Sequence, residues 1–106
     1  VVLLVDSVTG IGGTPVETAA WGLDFILTGS QKALALPPGL AFGVASPRLL
    51  ERAAQNTSRG VYFDFLEFEK GALKNQTPNT PAVSLLPPAR AALRRRQRAW
   101  GDCRWP

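Results

Sequence analysis

The chain has 106 residues, enough for one small core, and 45% hydrophobic with 19% charged residues is a globular composition. It contains no His and one Cys, Cys103, which excludes zinc sites, Cys–His nucleophiles, Ser–His–Asp triads and an internal disulfide framework, and fits a reducing compartment such as the cytoplasm. The net charge of +4 sits at one end: residues 1–86 carry six Lys/Arg against seven acids, residues 87–106 six Arg against Asp102 alone.

Val1 to Val5 is a continuous β-branched and Leu run that stops at Asp6, the pattern of a strand buried on both faces in a parallel sheet. It is too short for a signal-peptide core and has no basic flank, and no apolar run reaches the roughly 20 residues of a membrane span. The chain has no Met and opens inside this apolar run, which predicts a piece of a longer protein. Ser7 to Pro15, with Gly10, Gly12 and Gly13, is a loop, and Val16 to Gly22 has room for one helical turn. Asp24 to Thr28 is a second strand, stopped by Gly29. The connection of about 16 residues is long enough for a crossover between parallel strands. Leu40 to Ala45 is a third strand, only about ten residues on and past Pro37-Pro38-Gly39, so it is expected to run antiparallel near the sheet edge.

Ser46-Pro47 pairs an N-cap with proline at the first helical position and predicts a helix from Pro47 to Gln55, with Leu49, Leu50 and Ala53 on one face. Arg59 to Leu66 is aromatic-rich, and Lys74 to Pro81 is a polar loop. Pro81 to Leu86 begins another helix, which Pro87-Pro88 should interrupt. Beyond it, Arg94-Arg95-Arg96-Gln97-Arg98 shows no apolar periodicity. Residues 87–106 are therefore expected to come from a shifted reading frame or a damaged terminus, with an Arg-rich solvated helix as the alternative; a nucleic-acid arm is the least favoured reading.

Asp6 ends the first strand and Lys32 lies just past the second, so parallel pairing places both at the carboxyl edge of the sheet, where open α/β folds bind ligands. On position alone, an ion pair or two loop caps would leave the same two residues.

The wording around these residues carries more. Val5-Asp6-Ser7-Val8-Thr9 with Gly12-Gly13, Trp21-Gly22-Leu23-Asp24, Thr28-Gly29-Ser30-Gln31-Lys32-Ala33-Leu34 and Pro37-Pro38-Gly39-Leu40-Ala41 resembles the class V aminotransferases. Tyr62-Phe63-Asp64-Phe65 and Asn75-Gln76-Thr77-Pro78-Asn79-Thr80-Pro81-Ala82 extend the resemblance, which covers about residues 1–86 in order. These are fold-type I pyridoxal-phosphate enzymes, and the similarity is best to the alanine–glyoxylate, serine–glyoxylate and serine–pyruvate branch. The resemblance implies an α/β fold: the C-terminal half of the large PLP-binding domain, a mostly parallel sheet with one antiparallel strand and flanking helices, incomplete here.

It also implies roles. Lys32 matches the lysine that holds the cofactor aldehyde as a Schiff base and shuttles the α-proton. Asp6 matches the carboxylate that pairs with the pyridine nitrogen. Val8 matches the apolar residue against one ring face, and Gln31 a polar neighbour of the phosphate. Asn79 and Thr80 match loop residues that reach the phosphate bound in the partner subunit of a homodimer; in a second register of the loop, Thr77 takes that part. Ser30 and Thr9 are candidates for hydrogen bonds behind the site, and Asp24 for a cap or pair at the start of its strand.

The substrates implied are small: alanine or serine as amino donor, glyoxylate or pyruvate as acceptor, with no metal, nucleic acid or membrane partner. The family's Gly-rich phosphate turn, its ring-stacking aromatic and its substrate-gripping arginine have no match among these residues, so this stretch alone is expected not to complete a transamination. Two other class V branches are alternatives. The phosphoserine aminotransferases also suit Asn79-Thr80-Pro81, whereas cysteine desulfurases place His where Gln31 stands and need a downstream nucleophilic Cys. A non-catalytic remnant with a polyanion-binding basic tail is the alternative from outside enzymology.

Overall fold

The computed structural model describes residues 1–100; the last six residues of the expected tail, 101–106, with Cys103 among them, lie outside the described residues. Three strands form one sheet in the order β1 (Leu4–Asp6), β2 (Phe25–Gly29), β3 (Ala41–Ala45). β1 and β2 are parallel with Asp6 opposite Leu27, and β3 is antiparallel to β2 with Gly29 opposite Ala41. The three strands, their directions and the edge position of β3 are as expected, but β1 is not buried on both faces. It spans only Leu4–Asp6, lies at the other edge of the sheet, and leaves Leu3 and Leu4 exposed because no strand or helix among the described residues covers that side. The link from β1 to β2 carries hydrogen-bonded turns over 7–14 and again over 17–23, where Trp21 N–H donates to the Glu17 carbonyl at 3.0 Å, and no regular helix.

β2 is the centre of the core. Ile26 and Thr28 are buried on one face of it, with Ser30 just beyond its end, and Leu34, Leu49, Ala89 and Ala92 are the other buried hydrophobic residues. At the amino end of β2, Asp24 ties three segments together. Its carboxylate accepts from Leu3 N–H at 2.8 Å, from the Ser46 hydroxyl at 2.7 Å and from Arg48 Nε at 2.8 Å, with a second bond from Arg48 Nη2. These bonds, Arg48 foremost, hold the Asp24 carboxyl well below the usual carboxylate range. The expected pairing role of Asp24 is therefore met, at the edge of the sheet opposite to Lys32.

Helix α1 (Pro47–Ala54) starts as its sequence predicts, with the Ser46 hydroxyl accepting from Leu49 N–H at 3.1 Å and Leu49 buried beneath it. Helix α2 (Phe65–Leu73) packs on α1 and was not legible as a helix among the aromatics. Its signal is Asp64 as N-cap, accepting from Leu66 N–H at 2.9 Å, with Glu67 three residues on. Phe65 meets Phe25 edge to face at 5.1 Å between centroids, which fastens α2 to β2. α2 ends on Asn75 at φ 54°, with Gln76 N–H to the Gly71 carbonyl at 2.8 Å and Asn75 N–H to the Ala72 carbonyl at 3.0 Å, a Schellman arrangement.

The C-terminal part departs from expectation. Val83–Leu85 is a single 3₁₀ turn, and Pro87-Pro88 do not interrupt a helix: they lie in the first turn of helix α3 (Leu86–Trp100). The first amides of a helix have no intrahelical acceptor, so proline costs nothing there. Ala89 and Ala92, three residues apart, are buried, so α3 has a narrow inward face of small residues that hydropathy periodicity overlooks. Arg96 extends that face and donates from Nη2 to the Ala33 carbonyl at 2.7 Å. No helix among the described residues is long and apolar enough to cross a membrane.

Candidate active site

The parallel pairing of β1 and β2 brings their carboxyl ends level, and two loops leave from there. The first, Ser7 to Thr14, carries Val8 just beyond Asp6; the second, Ser30 to Leu40, carries Gln31 and Lys32. Asp6, Gln31 and Lys32 are exposed and Val8 is half-buried.

The two loops pack on each other. Gly12 is buried at φ 89°, where a side chain would be strained, and a Cβ there would come within 3.0 Å of Leu34 Cδ2. The neighbouring Gly13 has the same kind of approach to Ala33. Glycine therefore lets the loop that follows Asp6 press against the turn that presents Lys32.

Hydrogen bonds fix each loop to the sheet. Asp6 Oδ1 accepts from Val8 N–H at 3.0 Å, and the Thr28 hydroxyl donates to the Val8 carbonyl at 2.8 Å. Ser30, with no exposed surface, closes the lysine loop through every polar atom it has. Its N–H donates to the Leu40 carbonyl at 2.9 Å, and its carbonyl accepts from Leu36 N–H at 3.0 Å. Its hydroxyl donates to the Pro37 carbonyl at 2.7 Å and accepts from Leu40 N–H at 3.2 Å. Within that closed loop, Lys32 sits in a turn whose carbonyl accepts from Ala35 N–H at 2.9 Å, and Ala35 is at φ 55°. A non-glycine residue there carries roughly 1–2 kcal/mol of strain, which the surrounding bonds must hold. Gln31 folds back over Gly29, where a Cβ would lie 2.8 Å from its Oε1.

Asn79, Thr80 and Thr77 stand in a separate exposed loop. The Thr77 hydroxyl donates to the Asn79 carbonyl at 2.7 Å. Among the described residues, no hydrogen bond joins these three to Asp6, Val8, Gln31 or Lys32. The chain after them returns toward the lysine loop: a Cβ on Gly39 would lie 2.9 Å from Leu85 Cδ1. Thr9 makes no side-chain hydrogen bond among the described residues, whereas Thr28, which the sequence did not single out, makes the link to Val8. A polar residue at an inward strand position was the available signal.

The Aminotransferase class-V family matches residues 1–95. The chain belongs to the class V aminotransferases. The family match runs past residue 86, into α3. A serine–glyoxylate aminotransferase of Arabidopsis thaliana is 46% identical over 94 residues, covering 86% of this chain and 23% of that protein. A protein of Synechococcus sp. named as the small subunit of a soluble hydrogenase is 41% identical over 91 residues, covering 86% of this chain and 24% of its own length. Among solved structures, an aspartate aminotransferase of subgroup IV from Thermus thermophilus superposes with a TM-score of 0.78 at 36% identity, covering 89% of this chain and 26% of that one. The chain thus spans about a quarter of the length of the proteins it matches, and its fold is part of a fold-type I aminotransferase domain.

Class V aminotransferases use pyridoxal phosphate, and the side chains at this edge suit it. Lys32 offers a primary amine at a strained, closed turn, Asp6 a carboxylate with one oxygen held by a backbone N–H, Val8 an apolar surface and Gln31 an amide.

Proposed function

We propose that this chain forms part of a pyridoxal-phosphate-dependent aminotransferase that moves an amino group from alanine or serine to glyoxylate or pyruvate. The observation that carries the proposal is the parallel pairing of β1 and β2, which sets Asp6, the last residue of β1, and Lys32, on the loop that follows β2, at one carboxyl edge, with the loop after each strand bonded to the sheet or closed on itself. The serine–glyoxylate relative supports serine as donor and glyoxylate as acceptor.

The bound cofactor would supply an aldehyde that carries the amino group and a ring that accepts the electron pair released at the substrate α-carbon. Lys32 Nζ would anchor the cofactor and, once released, carry the proton away from and back to that α-carbon. Asp6 would hold a proton on the ring nitrogen, with Val8 packed against one ring face. Gln31 would bind the phosphate. Asn79 and Thr80 would reach the phosphate of a partner subunit in a homodimer. Thr77 is the weaker candidate for that part because its hydroxyl already closes the loop on the Asn79 carbonyl.

The test is to express the complete reading frame that contains these residues, load it with pyridoxal phosphate and follow oxo-acid formation from alanine and serine. Asp6→Ala should keep the cofactor and lose most of the turnover. Turnover unchanged by Asp6→Ala would refute the role at the ring nitrogen, and no transfer from either donor would refute the substrate assignment.

A further inference from the structure

Thr28 is buried to 2% exposure on the core face of β2, between Ile26 and Ser30. A valine would fit that position with the same shape and no hydroxyl to satisfy. The hydroxyl finds its partner outside the sheet, at the Val8 carbonyl, 2.8 Å away in the loop beyond β1. Among the described residues, the one backbone bond that holds this loop to β2 is long, from Ser7 N–H to the Leu27 carbonyl at 3.3 Å. Val8 in turn donates its N–H to Asp6 Oδ1 at 3.0 Å, and among the described residues Asp6 Oδ2 has no protein donor. Two bonds in series therefore run from the core of β2 to one oxygen of the Asp6 carboxylate.

We propose that Thr28 is a positioning residue for Asp6: its hydroxyl fixes the Val8 segment, and that segment fixes the carboxylate so that the second oxygen meets the cofactor's ring nitrogen. The proposal rests on the aminotransferase reading given above. It predicts that loss of the hydroxyl leaves β2 intact and the binding of substrate unchanged, while Asp6 loses its fixed orientation.

The test uses Thr28→Val and Thr28→Ser, each alone and combined with Asp6→Ala. In the cofactor-free protein, hydrogen exchange at the Val8 amide should quicken roughly two- to tenfold in Thr28→Val, the loss of one hydrogen bond. It should return toward the wild-type rate in Thr28→Ser, with the Leu27 and Gly29 amides unmoved in both. In the loaded protein, Thr28→Val should lower kcat by a similar factor at constant KM, and should add nothing in the Asp6→Ala background. Unaltered Val8 exchange, or effects on kcat that multiply, would overturn the proposal. Borohydride reduction of the same wild-type sample separates the two failures. Cofactor trapped on Lys32 together with multiplying effects rejects the Thr28 role alone, whereas no trapping on Lys32 rejects the aminotransferase reading and this proposal with it.

Discussion

Replacing Ser30 with alanine tests whether one buried hydroxyl holds the lysine loop. The substitution keeps the backbone bonds to Leu40 and Leu36 and removes two others, the 2.7 Å bond to the Pro37 carbonyl and the 3.2 Å bond from Leu40 N–H. Neither group has another hydrogen-bond partner within the loop among the described residues, and Ser30 itself has no exposed surface through which water could substitute. At about 0.5–1.5 kcal/mol for each net hydrogen bond, the loss should be roughly 1–3 kcal/mol. In a domain of this size each kcal/mol moves Tm by about 4–8 °C. Urea unfolding followed by circular dichroism gives the global change, and hydrogen exchange at the Leu40 amide gives the local one. Exchange at Leu40 should quicken more than at Leu27, because the bonds lost belong to the loop and not to the sheet. A loss below about 0.5 kcal/mol with unaltered Leu40 exchange would refute the reasoning, since a surface substitution does as little.

Two further outcomes follow from the geometry. Asp24 is held below the ordinary carboxylate range by Arg48, Leu3 and Ser46, so the unfolded chain takes up its proton first as pH falls. The stability it contributes is complete above the unfolded value of about 3.9 and is lost as pH drops below that toward the folded value. Urea midpoints of Asp24→Asn should therefore vary less with pH than those of the wild type between about pH 5 and pH 2, with Asp64 (lowered by Arg59) keeping part of the slope; equal slopes would contradict the Asp24 assignment. The accessible surface of 7730 Å² exceeds the roughly 5,800 Å² expected of a self-contained monomer of this mass, and Leu3, Leu4, Val61, Phe63 and Leu73 are exposed. The isolated chain should associate as its concentration rises in sedimentation, less so with Leu4→Lys on the edge strand; a monomer at all concentrations would contradict that.

The sheet was legible because its signals are local. β-branched runs ended by Asp6 and Gly29, and a connection too short for a parallel return, sufficed to set three strands and their directions. Helix α1 announced itself through Ser46-Pro47. Helix α2 did not, because its aromatics and Gly71 weaken helix propensity, and the Asp64-to-Glu67 spacing alone marked its start. α3 was misread for a different reason: two prolines are helix breakers in the interior and helix starters in the first turn, and only tertiary packing of Ala89 and Ala92 tells which applies. For the candidate site, the placement of Asp6, Val8, Gln31 and Lys32 at one edge was legible, because it follows from the parallel pairing of β1 and β2; the roles proposed for them rest on the family resemblance. The bonds that hold them there were not readable. The partners of Thr28 and Ser30 are backbone carbonyls and an amide whose positions depend on the fold, and no residue type in the sequence names them.

The central claim is that Lys32 holds the cofactor, and borohydride reduction tests it most directly. The protein from the complete reading frame is incubated with pyridoxal phosphate, reduced, digested and mapped by mass spectrometry. The account predicts a pyridoxyl adduct on the peptide containing Lys32 and its loss in Lys32→Ala. An adduct carried instead by Lys70 or Lys74, or one that survives Lys32→Ala, would contradict it.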